Sequence, residues 1–491
     1  MASSCEVPPS YTVIRKPGQY EHRCITRHDL GYYGCVVIAG IYRAPARVPW
    51  PLSADAFFPA LRQCIDRHPI LSTAIKSADS KTPQFVRPSQ LDLRRHIRVK
   101  GVVNTTAPEE ANLVKEAIVE CHDRIFRHSD LAPPWDVTVV PLGSDQDRGA
   151  MRLLVLLSYS HSHGDGTSGL GFHGTFLRAL QNTPFTSKTD QSAIYETSDR
   201  PLLPAFDQVA HLKVSWSCLL GVGLYDSLPI FLRTSLGLQP MSPVTPNSWV
   251  ANPVSYDVTA HLTGLEILLM ENVTVTKLLT ACRAHNARMT GLLHHLIVRS
   301  LRRAVAKHSV EPTFRNQACD IVAATPLNLR HLVPGWAGPA EMAMAVTEMM
   351  ELFPAISPKN ATASSAMDTP GGLINDSLWS GAKETGAKLA AAASTLQDQP
   401  TALLRYIPDF RSWMVGQVGK RRDCSYELSN IMAFDPDAHA STMPSSDGAM
   451  TTTPVERGGE GGWEVGNMYF SQPASVTGSP MNFQCRVEER R

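Results

Sequence analysis

Apolar residues in the first part of the chain alternate between the spacing of strands and the spacing of helices. Residues 34–42 are rich in β-branched and aromatic side chains, which is typical of a strand. Residues 54–68 carry apolar side chains three and four positions apart, and residues 109–127 also have the character of a helix. The continuous apolar run 153–157 indicates a buried strand, and the apolar stretch 170–180 indicates a helix. This order of elements predicts an α/β lobe.

The same alternation returns in the second part of the chain after a long interruption. Residues 181–252 have weak periodicity and contain prolines at positions 184, 201, 204, 229, 240, 243 and 246, which favours a connection between domains. A strand is then predicted at 264–269, followed by helices at 275–285 and 290–307. We therefore predict an N-terminal lobe at 1–180, a connection at 181–252 and a C-terminal lobe at 253–491.

Composition supports a folded protein and excludes several classes of function. The 491 residues exceed what one hydrophobic core usually supports, and 43% hydrophobic with 19% charged residues is close to the globular average. The formal charge of +1, without a basic run, argues against a nucleic-acid partner. The ten cysteines form no C-x-x-C pair and are expected to be reduced thiols. No secretory signal is visible and the apolar stretch 214–224 is shorter than the roughly 20 residues of a membrane span, so we expect a cytoplasmic protein without an integral membrane segment.

Candidate chemistry is concentrated where the predicted strand 153–157 gives way to the helix 170–180. The residues between them include His161, Ser162, His163, Gly164, Asp165 and Gly166. Strand ends are where α/β sheets usually present functional groups, and a neutral imidazole is well suited to take a proton from a hydroxyl near neutral pH. His161 is therefore the candidate general base. Asp165 can orient the turn through a buried ion pair, and Gly166 permits backbone conformations that a side chain would forbid.

Three other interpretations compete for this segment. In the first, the two histidines of the turn only satisfy backbone groups. In the second, His161, His163 and Asp165 begin the H-x-H-x-D-H signature of metallo-β-lactamase-type hydrolases, although Gly166 cannot be a ligand and no downstream ligand set is evident. In the third, residues 169–174 read G-x-G-x-x-G, but a dinucleotide fingerprint must directly follow its strand, so this match is interpreted as accidental.

The H-x-x-x-D-G of residues 161–166 resembles the hallmark of CoA-dependent acyltransferases with the chloramphenicol acetyltransferase-like fold. That superfamily includes plant BAHD enzymes and peptide-synthetase condensation domains, and the chain is most similar to its fungal alcohol acetyltransferases. Weaker similarities extend over about residues 12–485, in the segments 15–21, 27–31, 67–72, 133–135, 326–330 and 428–430. The D-F-G-W-G motif of the plant members is absent.

The resemblance implies two α/β lobes, each with a mixed sheet, and a channel between them with His161 at its midpoint. Donor and acceptor are then expected to enter from opposite faces of a monomer. Asp165 is implied to be structural and paired with an arginine, for which Arg67 and Arg330 are the candidates. Ser429 and Asn430 are implied to line the channel, where one of them can support an oxyanion, although a polar strand end is an equally good interpretation.

The activity that the resemblance implies is transfer of an acetyl or short acyl group from CoA to a hydroxyl of a fungal secondary metabolite. Acetyl-CoA is the expected co-substrate, with no bound cofactor and no metal. An amine acceptor or a longer acyl chain remains an alternative, as does the zinc hydrolase. A catalytically inactive binding protein is a further alternative, because relatives continue beyond the counterpart of residues 470–475 through another strand and a terminal helix.

Overall fold

The computed structural model describes most of the chain. The described residues are 10–46, 48, 53–104, 107–127, 129–144, 151–182, 192–224, 228–229, 232, 235–236, 242–257, 261–315, 318–338, 340–355, 374–431, 433–436 and 462–485.

Strands and helices alternate through both parts of the chain. The strands are β1 (Tyr11–Arg15), β2 (Cys35–Arg43), β3 (Ala74–Lys76), β4 (Gln84–Pro88), β5 (Gln90–Asp92), β6 (Ile97–Val99), β7 (Trp135–Ser144), β8 (Met151–Ser160), β9 (Ile194–Glu196), β10 (Ile321–Asn328), β11 (Val346–Phe353), β12 (Tyr426–Asn430), β13 (Glu464–Ser471) and β14 (Asn482–Cys485). The α-helices are α1 (Gln19–Asp29), α2 (Phe58–Arg67), α3 (Ala107–His122), α4 (Gly166–Asn182), α5 (Phe206–Val209), α6 (Trp216–Leu224), α7 (Asn272–Ala284), α8 (Met289–His308), α9 (Asp376–Ala393), α10 (Pro400–Leu403) and α11 (Phe410–Val415).

The N-terminal sheet has the strand order β13-β2-β8-β7-β6, with β2 and β8 antiparallel at its centre. Because successive side chains of a strand point to opposite faces, the two faces have separate cores. The paired residues Ile38 and Leu157 belong to the core that α2 and α4 cover, whereas Ala39 and Leu156 pack with α3. Helices thus bury both faces, which explains the continuous apolar run of β8.

The C-terminal sheet has the order β11-β10-β12-β14 and is also mixed. β10 pairs antiparallel with β11 and parallel with β12, which in turn pairs parallel with β14. Tyr426 and Leu428 of β12 pack on one face, in a core that α8 completes. Glu427 and Ser429 alternate with them and line a cavity on the opposite face. Because Tyr426 and Leu428 are buried on one face of β12, the polar side chains that alternate with them lie on the cavity face.

These two mixed sheets with covering helices confirm the predicted α/β class. The predicted strands 34–42 and 153–157 and the helices at 54–68, 109–127, 170–180, 275–285 and 290–307 all correspond to elements of the structure. The predicted strand at 264–269 is wrong. Leu265 and Ile267 pack beside the α3 core, but no described strand pairs with this segment, and Leu268 is 94% exposed.

The two parts of the chain are connected through a shared sheet. β13, which lies in the predicted C-terminal lobe, pairs antiparallel with β2 at the edge of the N-terminal sheet. The boundaries at 181 and 252 stay a prediction, with part of the intervening connection outside the described residues. Among the described helices, none has both the length and the apolar character needed to cross a membrane.

Candidate active site

His161 lies in the turn that joins β8 to α4, and strand pairing and a hydrogen bond hold this turn in place. The preceding residue, Ser160, is the last of β8 and pairs with Cys35 of β2. The Tyr159 hydroxyl donates a hydrogen bond of 2.7 Å to the backbone oxygen of Asp165, which closes the turn. His161 itself lines a cavity of about 190 Å³. The cavity is enclosed by α1, by this turn, and by β10, β11 and β12.

The surroundings of His161 keep its ring neutral. Burial lowers the pKa of His161 to about 4, and the positive charge of Arg27 adds to that effect. The rings of Tyr20 and Tyr33 lie 6.3 and 5.8 Å from the imidazole, measured between ring centroids. The Nδ1 atom is buried and has no hydrogen-bond partner among the described residues. Nε2 is therefore the nitrogen that can exchange a proton with a molecule in the cavity.

Asp165 is held in a buried ion pair that joins the two sheets. Its Oδ1 accepts a hydrogen bond of 2.6 Å from Nη2 of Arg330, which follows β10. The same Oδ1 accepts hydrogen bonds of 3.0 Å from the backbone nitrogen and the hydroxyl of Ser168, in the first turn of α4. The backbone nitrogen of Ala345 lies 3.4 Å from Oδ2. Asp165 also lines the cavity, but its carboxylate is engaged by these contacts, so it orients the turn and does not serve as a second base.

Arg330 also binds the backbone of the segment 340–345. Its Nη1 donates to the carbonyl of Glu341 at 2.6 Å, and its Nη2 donates to the carbonyl of Ala343 at 2.8 Å. Of the two arginines predicted as partners of Asp165, Arg330 is thus the one in contact. Arg67 is not: its guanidinium pairs with the carboxylate of Glu341 at 2.6 Å, because α2 presents it to the outer side of this segment.

Gly166 is required by the close approach of neighbouring side chains. A β-carbon at this position would lie 2.7 Å from Ile431 Cγ2 and 3.2 Å from the ring of Phe470. Gly169 and Gly171, two of the glycines of the G-x-G-x-x-G match, are buried in α4. There a β-carbon would lie 2.1 Å from Ile38 and 2.4 Å from the carbonyl of Ala340. These glycines allow α4 to pack tightly, which agrees with the interpretation of the match as accidental.

His163 is buried in the N-terminal part of the chain and is not among the residues that line the His161 cavity. Its Nε2 lies 2.9 Å from the carbonyl of Thr73, and its Nδ1 lies 3.0 Å from the hydroxyl of Ser162. Burial lowers its pKa to about 4. His161, His163 and Asp165 therefore do not converge as metal ligands. Within the described ranges, no group of three or more His, Cys, Asp or Glu side chains could hold a metal ion.

Ser429 and Asn430 lie at the end of β12 and line the same cavity as the His161 turn. Ser429 shares its face of the sheet with Glu427, and the Asn430 amide lies 3.3 Å from the hydroxyl of Thr290. The structure thus brings both predicted channel residues into the same cavity as His161.

Several charged residues of the cavity were missed by the sequence analysis. Arg23 and Arg27 are one helical turn apart on α1, and Tyr20 precedes them on the same face. Glu348 and Glu427 come from β11 and β12 of the facing sheet. Burial raises the pKa of Glu348 to about 7. The available signal was the spacing of Tyr20, Arg23 and Arg27, but without the tertiary structure this face reads as an exposed helix surface.

Comparison with known proteins gives relatives over nearly the whole chain. No family model matches the sequence. The chain is 22% identical over 483 residues to the probable alcohol acetyltransferase FCK4 of Fusarium pseudograminearum, covering 94% of this chain and 86% of that protein. It is 21% identical over 478 residues to the probable alcohol acetyltransferase crmB of Aspergillus fumigatus, covering 94% and 89%. These relatives confirm the resemblance to fungal alcohol acetyltransferases.

A solved structure supports the same fold. The TRI3 trichothecene 15-O-acetyltransferase from Fusarium sporotrichioides superimposes with a TM-score of 0.58 at 12% sequence identity. The match covers 100% of this chain and 90% of that chain. The predicted chloramphenicol acetyltransferase-like fold is therefore confirmed.

Proposed function

We propose that this chain is an O-acyltransferase that moves an acetyl or short acyl group from CoA to a hydroxyl of a small fungal metabolite, with His161 as general base. One observation carries the proposal: a neutral imidazole lines an internal cavity, in a turn fixed by the Asp165–Arg330 ion pair. The names of the two sequence relatives, which are alcohol acetyltransferases, support the reaction class. CoA serves as co-substrate in this proposal, and no resident cofactor takes part.

The mechanism follows from the arrangement of His161. Its neutral Nε2 takes the proton of the acceptor hydroxyl as the oxygen attacks the thioester carbonyl. A new C–O bond forms and the electron pair of the carbonyl π bond moves to the carbonyl oxygen. When the tetrahedral intermediate collapses, the C–S bond breaks and the proton on His161 passes to the sulfur of CoA. Transfer is direct, in a ternary complex, and needs no covalent acyl-enzyme.

Ser429 and Asn430, at the end of β12, have a second role in the proposed mechanism. In the proposed mechanism, the hydroxyl of Ser429, which lines the same cavity as His161, donates a hydrogen bond to the carbonyl oxygen as negative charge develops on it. Asn430 contributes to the same end of β12, with its amide oriented toward Thr290. We assign the channel between the lobes to the two substrates, with donor and acceptor approaching His161 from opposite ends.

The test is release of the CoA thiol from acetyl-CoA in the presence of a panel of metabolite alcohols and amines. We expect an alcohol to stimulate release, and His161→Ala to lower that rate about 10²- to 10⁴-fold, as expected for loss of a general base. His331→Ala, which removes an exposed histidine close to Arg330 in sequence, is the matched control and should retain the rate.

Three outcomes would contradict parts of the proposal. Turnover that survives His161→Ala would show that His161 is not the base. Stimulation by amines but not by alcohols would identify an N-acyltransferase. A folded protein that binds CoA and transfers its acyl group to no member of the panel would favour the inactive binding protein.

A further inference from the structure

Two arginines are buried near the His161 turn, and they differ in how their charge is compensated. Arg330 donates hydrogen bonds to the Asp165 carboxylate and to backbone carbonyls of the segment 340–345. Arg27 is also buried, at 7% exposed, but it forms no ion pair with a carboxylate in the described part of the chain, and the Nε atom of each of the two arginines lacks a hydrogen-bond partner there. A buried cation without a counter-ion is costly, so its retention points to an anionic partner that is present only at some stage of function.

The immediate neighbours of Arg27 do not form an ion pair with it among the described residues. Its guanidinium lies over the ring of Tyr33, with the carbon Cζ 3.8 Å from the ring centroid. Burial raises the pKa of the adjacent Cys24 thiol, so this sulfur is uncharged at neutral pH. The carboxyl groups of Glu348 and Glu427 line the same cavity and interact electrostatically with Arg27 without pairing with it directly, and burial raises the pKa of both.

The position of Arg27 restricts where its anionic partner can be. The Tyr33 ring lies close to both residues, with its centroid 3.8 Å from Cζ of Arg27 and 5.8 Å from the centroid of the His161 ring, so the cation and the base share one aromatic neighbour. The Tyr33 ring is fixed, because its hydroxyl donates to Gln472 at 2.8 Å and the Gln472 amide donates to Glu427 at 2.7 Å. Arg27 and His161 line the same cavity. The atoms that react at His161 are therefore within the electrostatic range of Arg27.

We infer that Arg27 is an electrostatic catalytic residue, whose positive charge stabilises the oxyanion that forms when the acceptor oxygen attacks the thioester carbonyl. The inference rests on the proposed acyl transfer. A cation held in a low-dielectric cavity favours negative charge that appears only in the transition state, and it requires no reorganisation at that moment. Arg27 acts from the α1 wall, opposite the hydrogen bond that Ser429 offers from β12.

The test compares Arg27→Gln, which removes the charge, with Arg27→Lys, which keeps it. At equal folded concentration we expect Arg27→Gln to lower kcat about 10²- to 10³-fold, as for loss of one oxyanion donor, with the dissociation constant for CoA unchanged. Arg27→Lys should recover part of kcat. Arg87→Gln is the matched control, since Arg87 is equally buried and binds Ser72 outside the cavity. It should lower thermal stability and leave kcat unchanged.

A second readout is independent of turnover. The charged groups that line the cavity around His161 are Arg23 and Arg27 from α1, Asp165 from its own turn, Glu348 and Glu427 from the C-terminal sheet, and Asp423 before β12. Because Arg27 opposes protonation of His161, Arg27→Gln should raise the pKa of the His161 ring, measured by NMR titration. The pKa should stay low in Arg27→Lys.

The outcomes separate this inference from the proposed function. If the wild-type protein transfers no acyl group, the proposed function fails and this inference fails with it. If the wild type is active, an unchanged kcat and an unchanged His161 pKa in Arg27→Gln would overturn the inference alone. If the wild type is active, weaker CoA binding with kcat retained would overturn it and identify Arg27 as an anchor for a CoA phosphate. Loss of folding with kcat of the folded fraction retained would leave Arg27 a structural residue only.

Discussion

The two sides of the His161 turn differ in how completely their polar groups are bonded. On the side of Asp165 and Arg330, each charged group has partners from both sheets, and even the Ser168 hydroxyl is shared between them. On the cavity side, neither His161 nor Arg27 forms an ion pair among the described residues, although both line the cavity. The Asp165–Arg330 ion pair and its hydrogen bonds thus fix the backbone, while the groups that line the cavity are left to interact with a substrate. This division is what a preorganised site requires.

The largest effect should come from breaking the Asp165–Arg330 ion pair. Arg330→Met leaves the Asp165 carboxylate buried without its cation, which costs about 3–5 kcal/mol for a pair of this kind. We expect the free energy of unfolding, measured with urea, to fall by that amount, and acyl transfer to fall with it because the turn loses its orientation. The double variant Asp165→Asn/Arg330→Met should recover part of the stability, since no charge then remains unpaired. If Arg330→Met lowered the free energy of unfolding by less than about 1 kcal/mol, the Asp165–Arg330 ion pair would contribute no more than an exposed pair does.

The cavity side should respond in activity and not in stability. Ser429→Ala removes the hydroxyl that we place at the oxyanion, and we expect kcat to fall about 10²-fold with the urea midpoint unchanged. Ser425→Ala is the control, because Ser425 is buried just before β12 and donates to the backbone of Trp249 instead of lining the cavity. It should lower stability and retain kcat. The reverse pattern would show that Ser429 is a polar strand end without a catalytic contact.

Acid should destabilise the protein through histidines that the fold keeps neutral. Burial lowers the pKa of His163 and His294 to about 4 and that of His68 to about 3, so each binds a proton more readily when unfolded. Their contribution is therefore complete above about pH 6.5, the ordinary histidine pKa, and is lost progressively as the pH falls toward 4. Glu348 acts in the opposite direction, because its pKa is raised to about 7 and unfolding releases its proton in this range.

Urea unfolding at several pH values between 7.5 and 4.5 measures this balance. His122 and His161 also have a pKa lowered to about 4 by burial, so these histidines outnumber the carboxyl groups Glu348, Asp423 and Glu427, whose pKa burial raises. We therefore expect the free energy of unfolding to fall on acidification. His68→Gln removes one of these groups, and its slope with pH should be shallower by up to about 1.4 kcal/mol per pH unit. An equal slope in the two proteins would show that His68 does not titrate on unfolding.

The sequence was sufficient for those features that local pattern determines. Residues 153–157 and 170–180 predicted β8 and α4, and these two elements alone place His161 at a strand end. The strand at 264–269 failed because alternating apolar residues describe a half-buried extended segment whether or not a neighbouring strand pairs with it. Pairing partners are a tertiary property, which this pattern does not contain.

For the site too, the sequence predicted the local segment but not its tertiary contacts. The H-x-x-x-D-G segment identifies the turn, but the choice between Arg67 and Arg330 depends on which arginine the fold brings to Asp165, 165 positions away from Arg330 in sequence. The cavity charges Arg23, Arg27 and Glu348 were missed because a charged helix face or strand face is usually solvated. Only the packing of α1 against the C-terminal sheet converts these residues into cavity walls.

The smallest effect should come from replacing Arg67, which can be compared directly with replacing Arg330. Arg67 and Arg330 both bind Glu341, but Arg67 reaches its carboxylate at a site where both side chains keep contact with solvent, 18% and 25% exposed. Ion pairs of that kind contribute about 1 kcal/mol or less. We expect Arg67→Met to lower the free energy of unfolding by no more than this and to leave kcat unchanged. If Arg67→Met instead lowered the free energy of unfolding as much as Arg330→Met does, the segment 340–345 would need both arginines to hold its position.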